Sequence, residues 1–390
     1  MIPIALYVHV PWCVRKCPYC DFDSHEHRAM ESGVVEGDLE LEYLRQIVDD
    51  LSCELDNLAQ VRGLEQREFF RPELQSIFIG GGTPSLMSPD FYRRLLDTVN
   101  ERFSPVANME VTLEANPGTA EAAKFEGYFD AGVNRLSIGV QSFADSQLKS
   151  LGRIHSGNEA KAAFSIAREA GFENINIDLM HGLPGQNRED ALADIESALA
   201  LNPEHISWYQ LTIERNTVFY NKPPVLPAEL ELESIQEAGH KLLDQSGYCR
   251  YEVSAYARSG RISSHNMNYW LFGDYLGIGA GAHGKISNNQ RVTRRAKTRT
   301  PKDYIAAQEK LASEVLVESS ELPLEFLMNA LRLVDGFEAQ MFNQRTGLAL
   351  SVIEPGVEKL RLDGLLEEDN ERIRCTPQGL RYLDSVLAGF

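Results

Sequence analysis

Six short apolar runs separated by stretches of helical period constrain this chain more than any other feature. The runs are residues 4–10, 76–79, 109–115, 135–140, 174–180 and 205–211, most of them bounded by Gly, Pro or Asn. Between the first two, Leu41, Leu44, Ile47, Val48, Leu51 and Leu55 recur at helical spacing, and 89–102, 120–131, 159–170 and 189–201 are amphipathic. Repeated βαβ units demand a parallel sheet with right-handed crossovers. Six of them predict an α/β fold, either a partial barrel or a doubly wound sheet. Both architectures collect ligand sites at the carboxyl ends of the strands.

Directly after the first run stands Cys13-Val-Arg-Lys-Cys17-Pro-Tyr-Cys20, a C-x3-C-x2-C spacing. In a reducing compartment, three thiolates this close suit soft metal ligation better than disulfides. Zinc wants a fourth ligand to close its tetrahedron, and His25 or His27 could supply it. A [4Fe-4S] cluster has four iron corners, so three thiolates leave one iron open to a non-protein ligand. Spacing favours the cluster and leaves zinc as the alternative. Cys53, Cys249 and Cys375 are scattered singly and read as small buried apolar residues, not as a disulfide framework.

Thirty-eight Lys and Arg against 57 Asp and Glu give a net charge of −19, which argues against general binding to nucleic acid or an anionic membrane. The run from Arg291 through Arg294, Arg295 and Lys297 to Arg299 reverses that balance locally, and reads first as a solvated face and second as a contact for an anionic ligand. No basic-led apolar leader opens the chain and no apolar run reaches the ~18 residues of a membrane span. The expectation is a cytoplasmic protein.

The strand ends carry the remaining motifs. Gly80-Gly-Gly82-Thr83-Pro84 lacks the Gly-Lys-Ser/Thr ending of a phosphate loop, so nucleotide hydrolysis is not expected. Glu114-Ala-Asn-Pro117 follows the third run, Gln141-Ser142 the fourth, and Asp178 with His181-Gly-Leu-Pro184 the fifth. From residue 216 the alternation stops, Pro223 to Pro227 forms a connector, and 229–245 is helical. His265-Asn266-Met-Asn-Tyr269-Trp270 and the glycine-rich Gly273 to Gly284 come next, followed by a helical segment with a small β-wing over 365–376. The divisions expected are 1–215, a connecting region 216–300, and a helical, winged-helix-like module 301–390. Without a basic stripe, that module is expected to pack and not to bind DNA.

Taken together, these motifs resemble the branch of the radical S-adenosylmethionine (SAM) superfamily that holds the oxygen-independent coproporphyrinogen III oxidases and the HemW haem chaperones. The resemblance runs from Tyr7-Val-His-Val-Pro-Trp-Cys13 to the C-terminal module, through Gly139-Val-Gln141-Ser-Phe143 and Leu151-Gly-Arg153-Ile-His155. It implies a partial (β/α)6 radical-SAM barrel and cluster ligation by Cys13, Cys17 and Cys20. Tyr7, Gly82 and Thr83 would meet the methionine end of SAM, and Glu114 and Asp178 its ribose. Tyr19, Gln141 and Arg153 are further cofactor-side residues.

The oxidases resemble C-x3-C-x2-C-x-C, whereas Phe22 stands here at the last cysteine's place. Phe22 cannot do thiol chemistry, so the resemblance shifts to the chaperone group, which shares H-N-x-x-Y-W. It implies haem as cargo, a haem-accepting partner protein that could include a transient membrane-protein contact, and His265 as axial ligand, with His155, His181 and His283 as rivals. No catalytic residue is assigned, and porphyrinogen decarboxylation is the competing function.

Overall fold

The computed structural model describes residues 2–26, 37–64, 70–288 and 291–390; His27 lies outside them. Six parallel strands, β1 (Ile4–Val10), β2 (Glu73–Gly81), β3 (Ser104–Ala115), β4 (Arg135–Gln141), β5 (Ile175–His181) and β6 (His205–Gln210), lie side by side in sequence order. Helices Gly37–Val61, Pro89–Arg102, Gly157–Glu169 and Arg188–Leu201 cross between successive strands, and Glu229–Gln245 follows β6. Across 120–131 the expected single helix is two short ones, Thr119–Ala122 and Phe125–Asp130.

The α/β partial barrel is as expected, and the sheet continues beyond it. On the far side of β6 it adds β8 (Ala255–Ala257) and then β7 (Cys249–Glu252). Beside β1 it adds β9 (Asp274–Ile278), parallel to it, and then β10 (His283–Asn288), β11 (Arg291–Lys297) and β12 (Leu311–Leu316), each antiparallel to its neighbour. Twelve strands result, and they run through the connecting region into residue 316.

Alternation within the parallel strands decides what the sheet can do. Leu6, Val8, Ile77, Ile79, Leu113, Leu136, Ile138, Ile177 and Leu179 are buried in one continuous core with the crossover helices. Register aligns Tyr7 with Phe78, Glu114 with Ser137, Gly139 with Asp178, and Asp178 with Ser207, so these polar and aromatic residues share the opposite face. A parallel strand buried on both faces would ordinarily be apolar throughout. Here one face is reserved for polar contacts.

The helix Ser264–Trp270, which carries H-N-x-x-Y-W, closes the lower end of that face. Glu110 of β3 accepts from the Ser264 and His265 backbone N–H groups at 3.0 and 3.1 Å and from the Ser263 hydroxyl at 3.2 Å. A carboxylate at a helix N-terminus offsets its unpaired donors.

The middle of the basic run is neither a solvated face nor a free anion site, whereas Arg291 and Arg299 at its ends are exposed. Within β11, Arg295 and Lys297 turn into the protein and pair with Asp50 and Glu54 of the helix Gly37–Val61, all four almost fully buried. Arg294 donates to Tyr275 Oη at 3.0 Å and pairs with Glu325. The acids that neutralise the run lie some 240 positions away, which is why the local pattern misled.

Residues beyond 317 enclose a second core built on Phe326, Phe337, Phe342, Val357, Leu360 and Ile373. Helix Leu322–Ala330 precedes, and helices Ala339–Thr346 and Glu354–Leu362 lie between, the two strands of a small ladder that pairs Phe337 with Ile373, the wing of a winged-helix-like module. Among the described residues no helix is long and apolar enough to cross a membrane.

Candidate functional site

Strand-end loops converge on one hollow of about 160 Å³, lined by Cys13, Cys17, Cys20, Tyr19, Gly82, Thr83, Glu114, Gln141, Arg153 and Asp178. The three cysteines and Tyr19 share one loop and Gly82 and Thr83 one turn, and the other four come from loops or strand ends far apart in sequence. The loop is held by Cys20 N–H donating to Cys17 O at 3.2 Å and by Phe219 N–H donating to Pro18 O at 2.9 Å. A second hollow of about 310 Å³ shares Cys17, Thr83, Asn116 and Arg153 with the first.

The sulfurs are served by donors. Thr83 Oγ1 donates to Cys13 Sγ at 3.5 Å, and Arg153 Nη1 to Cys17 Sγ at 3.7 Å. Burial pushes the Cys13 and Cys20 thiols upward, so they would ionise readily only with a positive centre beside them. Among the described residues no three His, Cys, Asp or Glu side chains meet at a point fit for a single metal ion. The thiols instead surround a space, and hydrogen-bond donors aimed at sulfur suit an iron-sulfur cluster. His25 Nε2 faces Asp23 Oδ1 at 3.4 Å and does not line the hollow.

Gly82 owes its identity to a close approach: a Cβ there would meet Trp12 O at 2.5 Å. Its N–H donates to Val10 O and that of Thr83 to Trp12 O, both at 2.7 Å, fastening the glycine turn to the cysteine loop. Gln141 has φ +69°, a left-handed backbone that a non-glycine residue adopts under constraint, and its Oε1 accepts from Tyr209 Oη at 2.8 Å. Arg153 Nη2 donates to Asn116 Oδ1 at 2.6 Å and to Gly139 O at 2.8 Å.

Glu114 and Asp178 are the two acids of the hollow, both half-buried. Burial first, then repulsion from Asp178, pushes the Glu114 carboxyl up to about 8, against a backbone N–H from Gly81 at 3.2 Å. Burial also raises Asp178, although Ser137 Oγ at 2.9 Å and Asn176 Nδ2 at 2.8 Å donate to it. Paired acids at the back of a pocket are ready acceptors for a ligand's hydroxyl groups.

Two expected residues are placed elsewhere. Tyr7 does not line this hollow; its hydroxyl bonds His9 Nδ1 at 2.9 Å, and its ring walls an adjoining cavity of about 660 Å³. His265 is buried below that cavity. Its Nδ1 shares a hydrogen bond with Ser76 Oγ at 3.0 Å, its Nε2 with Tyr269 Oη at 3.1 Å, and its ring stacks on Phe78. An axial ligand needs a free imidazole nitrogen facing open space, which His265 lacks. Asn116, Ser137 and Tyr209 were missed as lining residues. Asn116 lay within the quoted Glu114-Ala-Asn-Pro117, whereas Tyr209 carries no local signal.

The Radical SAM superfamily model matches residues 7–198, and that of the HemN C-terminal domain matches 317–382. The curated "Heme chaperone HemW" of Escherichia coli (strain K12) is 46% identical over 389 residues, covering 100% of this chain and 98% of that protein. This chain belongs to the HemW family of radical SAM proteins. The HemW of Bacillus subtilis (strain 168) is 34% identical, covering 99% and 98%, and the mouse mitochondrial radical S-adenosyl methionine domain-containing protein 1 is 36% identical, covering 98% and 86%. Among solved structures, E. coli coproporphyrinogen III oxidase (HemN), described as a radical SAM enzyme, superposes with TM-score 0.78 at 21% identity, covering 100% of this chain and 90% of that one. That likeness concerns the fold. Radical SAM families imply a [4Fe-4S] cluster and SAM, so membership favours the cluster over zinc.

Proposed function

We propose that this protein takes up haem as cargo and passes it to an acceptor protein in the cytoplasm, while carrying a [4Fe-4S] cluster and SAM. Relatives named as haem chaperones span its whole length. The observation that carries the reading is the adjoining cavity of about 660 Å³, walled by Tyr7, Phe78, Tyr269 and Tyr275. Flat aromatic walls favour a planar macrocycle. Phe22, 60% exposed, borders both this cavity and the cluster hollow, together with Gly81 and Glu114.

Cys13, Cys17 and Cys20 would hold the cluster, whose open iron corner supplies a binding point for the amino and carboxylate groups of SAM. Gly82 lets the backbone approach closely there, and Thr83 orients toward the Cys13 sulfur. Glu114 and Asp178 would accept from ribose hydroxyls. Arg153, fixed by Asn116 and Gly139, holds positive charge beside Cys17, and Tyr19 and Gln141 complete the wall. The H-N-x-x-Y-W helix acts from beneath: His265 anchors Tyr269, whose ring faces the cavity.

Anaerobic reconstitution followed by haem titration tests the reading. A Soret shift saturating near a ~1:1 ratio, with the iron-sulfur absorption retained, is expected. Failure of the reconstituted protein to retain haem through gel filtration would overturn it.

A further inference from the structure

We propose that His283 is the axial ligand through which this protein holds its haem, an assignment that rests on the haem-carrying reading above. Ligation requires an imidazole with an unengaged nitrogen, a space beside it wide enough for a macrocycle, and a route from solvent. His283 lines the 660 Å³ cavity, is exposed, and has no hydrogen-bond partner among the described residues. The other histidine on that cavity, His9, is occupied at both nitrogens, by Tyr7 Oη and by Asp23 O, each at 2.9 Å. His265 is occupied at both as well and lies under Phe78.

The chain delivers His283 there by an unusual route. Gly279, at φ +100°, passes so close to β1 that a Cβ would meet His9 O at 2.4 Å, and the turn closes with Ala282 N–H donating to Gly279 O at 3.0 Å. His283 then opens β10 opposite Ala296, whose small side chain also borders the cavity. Phe78 and Tyr275 wall the same cavity. At the rim, Arg299 is 76% exposed and 3.3 Å from Asp23, free to exchange that partner for a haem propionate. In the binding step the neutral imidazole donates its lone pair to the haem iron and displaces water; no electron is transferred.

The test compares haem complexes of the full-length, cluster-loaded protein by Soret absorption and electron paramagnetic resonance. His283→Ala should lose the histidine-ligand signature and bind haem about tenfold or more weakly, and added imidazole should restore the signature on the protein-bound haem. His283→Met should give a different ligand field. His181→Gln, at a histidine that lines a different cavity, should leave the signature in place. An unchanged signature in His283→Ala, or its loss in a folded His181→Gln, would overturn the assignment while leaving haem carriage standing. Absence of haem binding by the unsubstituted protein would overturn both.

Discussion

The two hollows beside Phe22 were built in different ways. The cluster hollow is assembled by loops at the carboxyl ends of adjacent parallel strands, so each contribution is a compact motif in the sequence. The adjoining cavity is assembled by the sheet's extension: β9 lies against β1, placing Tyr275 and His283 near Tyr7 and Phe78 from more than 190 positions away. Chemistry-bearing loops can be recognised one at a time. A cavity made of strand faces becomes visible only when the strands have been ordered.

Each prediction pulls one hollow away from the other, and the largest effect is on the cluster. Replacing Cys13, Cys17 or Cys20 by Ala should abolish iron and acid-labile sulfide in the reconstituted protein while haem titration still saturates; simultaneous loss of haem binding would mean that the hollows are not separable. Lys297→Ala should cost ~3–5 kcal/mol in chemical denaturation, because it leaves the buried Asp50 carboxylate without its cation and Glu54 with Arg295 alone. Under native conditions it should weaken haem uptake before cluster loading, since Ala296 and Lys297 of β11 border the adjoining cavity and not the cluster hollow.

Glu114→Ala should weaken SAM by ~1–3 kcal/mol, read by equilibrium binding, and leave the iron content unchanged. The same residue gives a pH effect of known sign. Its folded-state value of about 8 lies above the ordinary 4.5, so its contribution to stability is full below 4.5 and is lost as pH rises toward 8. Thermal unfolding of the cofactor-free protein should therefore show a decline across that window that Glu114→Gln flattens; parallel curves would deny that carboxyl its role. The smallest effects belong to exposed Cys53 and Cys249, whose replacement by Ala should change stability by under ~0.5 kcal/mol and cluster loading not at all.

Much of the barrel was legible because its βα periodicity is local, and the cluster motif because three thiols in eight positions leave few chemistries. Glu114, Gln141, Arg153 and Asp178 were found through motifs, and they line the same hollow. The antiparallel extension was less legible: the strand–helix alternation stops near residue 216, and the later strands carry charges such as Lys285 and Arg295, which pair with Asp274 and Glu54 in the fold. His265 was singled out for the same reason in reverse. A histidine in a motif looks available until Ser76 and Tyr269 are found on its two nitrogens.

Carriage of haem, as against chemistry on its precursor, is the central claim, and one sample tests it most directly. Protein reconstituted with its cluster and supplied with SAM and reductant should be offered coproporphyrinogen III in one aliquot and haem in another, with products separated by liquid chromatography and haem followed at the Soret band. With Phe22 where a thiol would stand, the account predicts stable haem uptake and no decarboxylated porphyrinogen above the level of a cluster-free control. Sustained turnover of coproporphyrinogen III without stable haem uptake would contradict it.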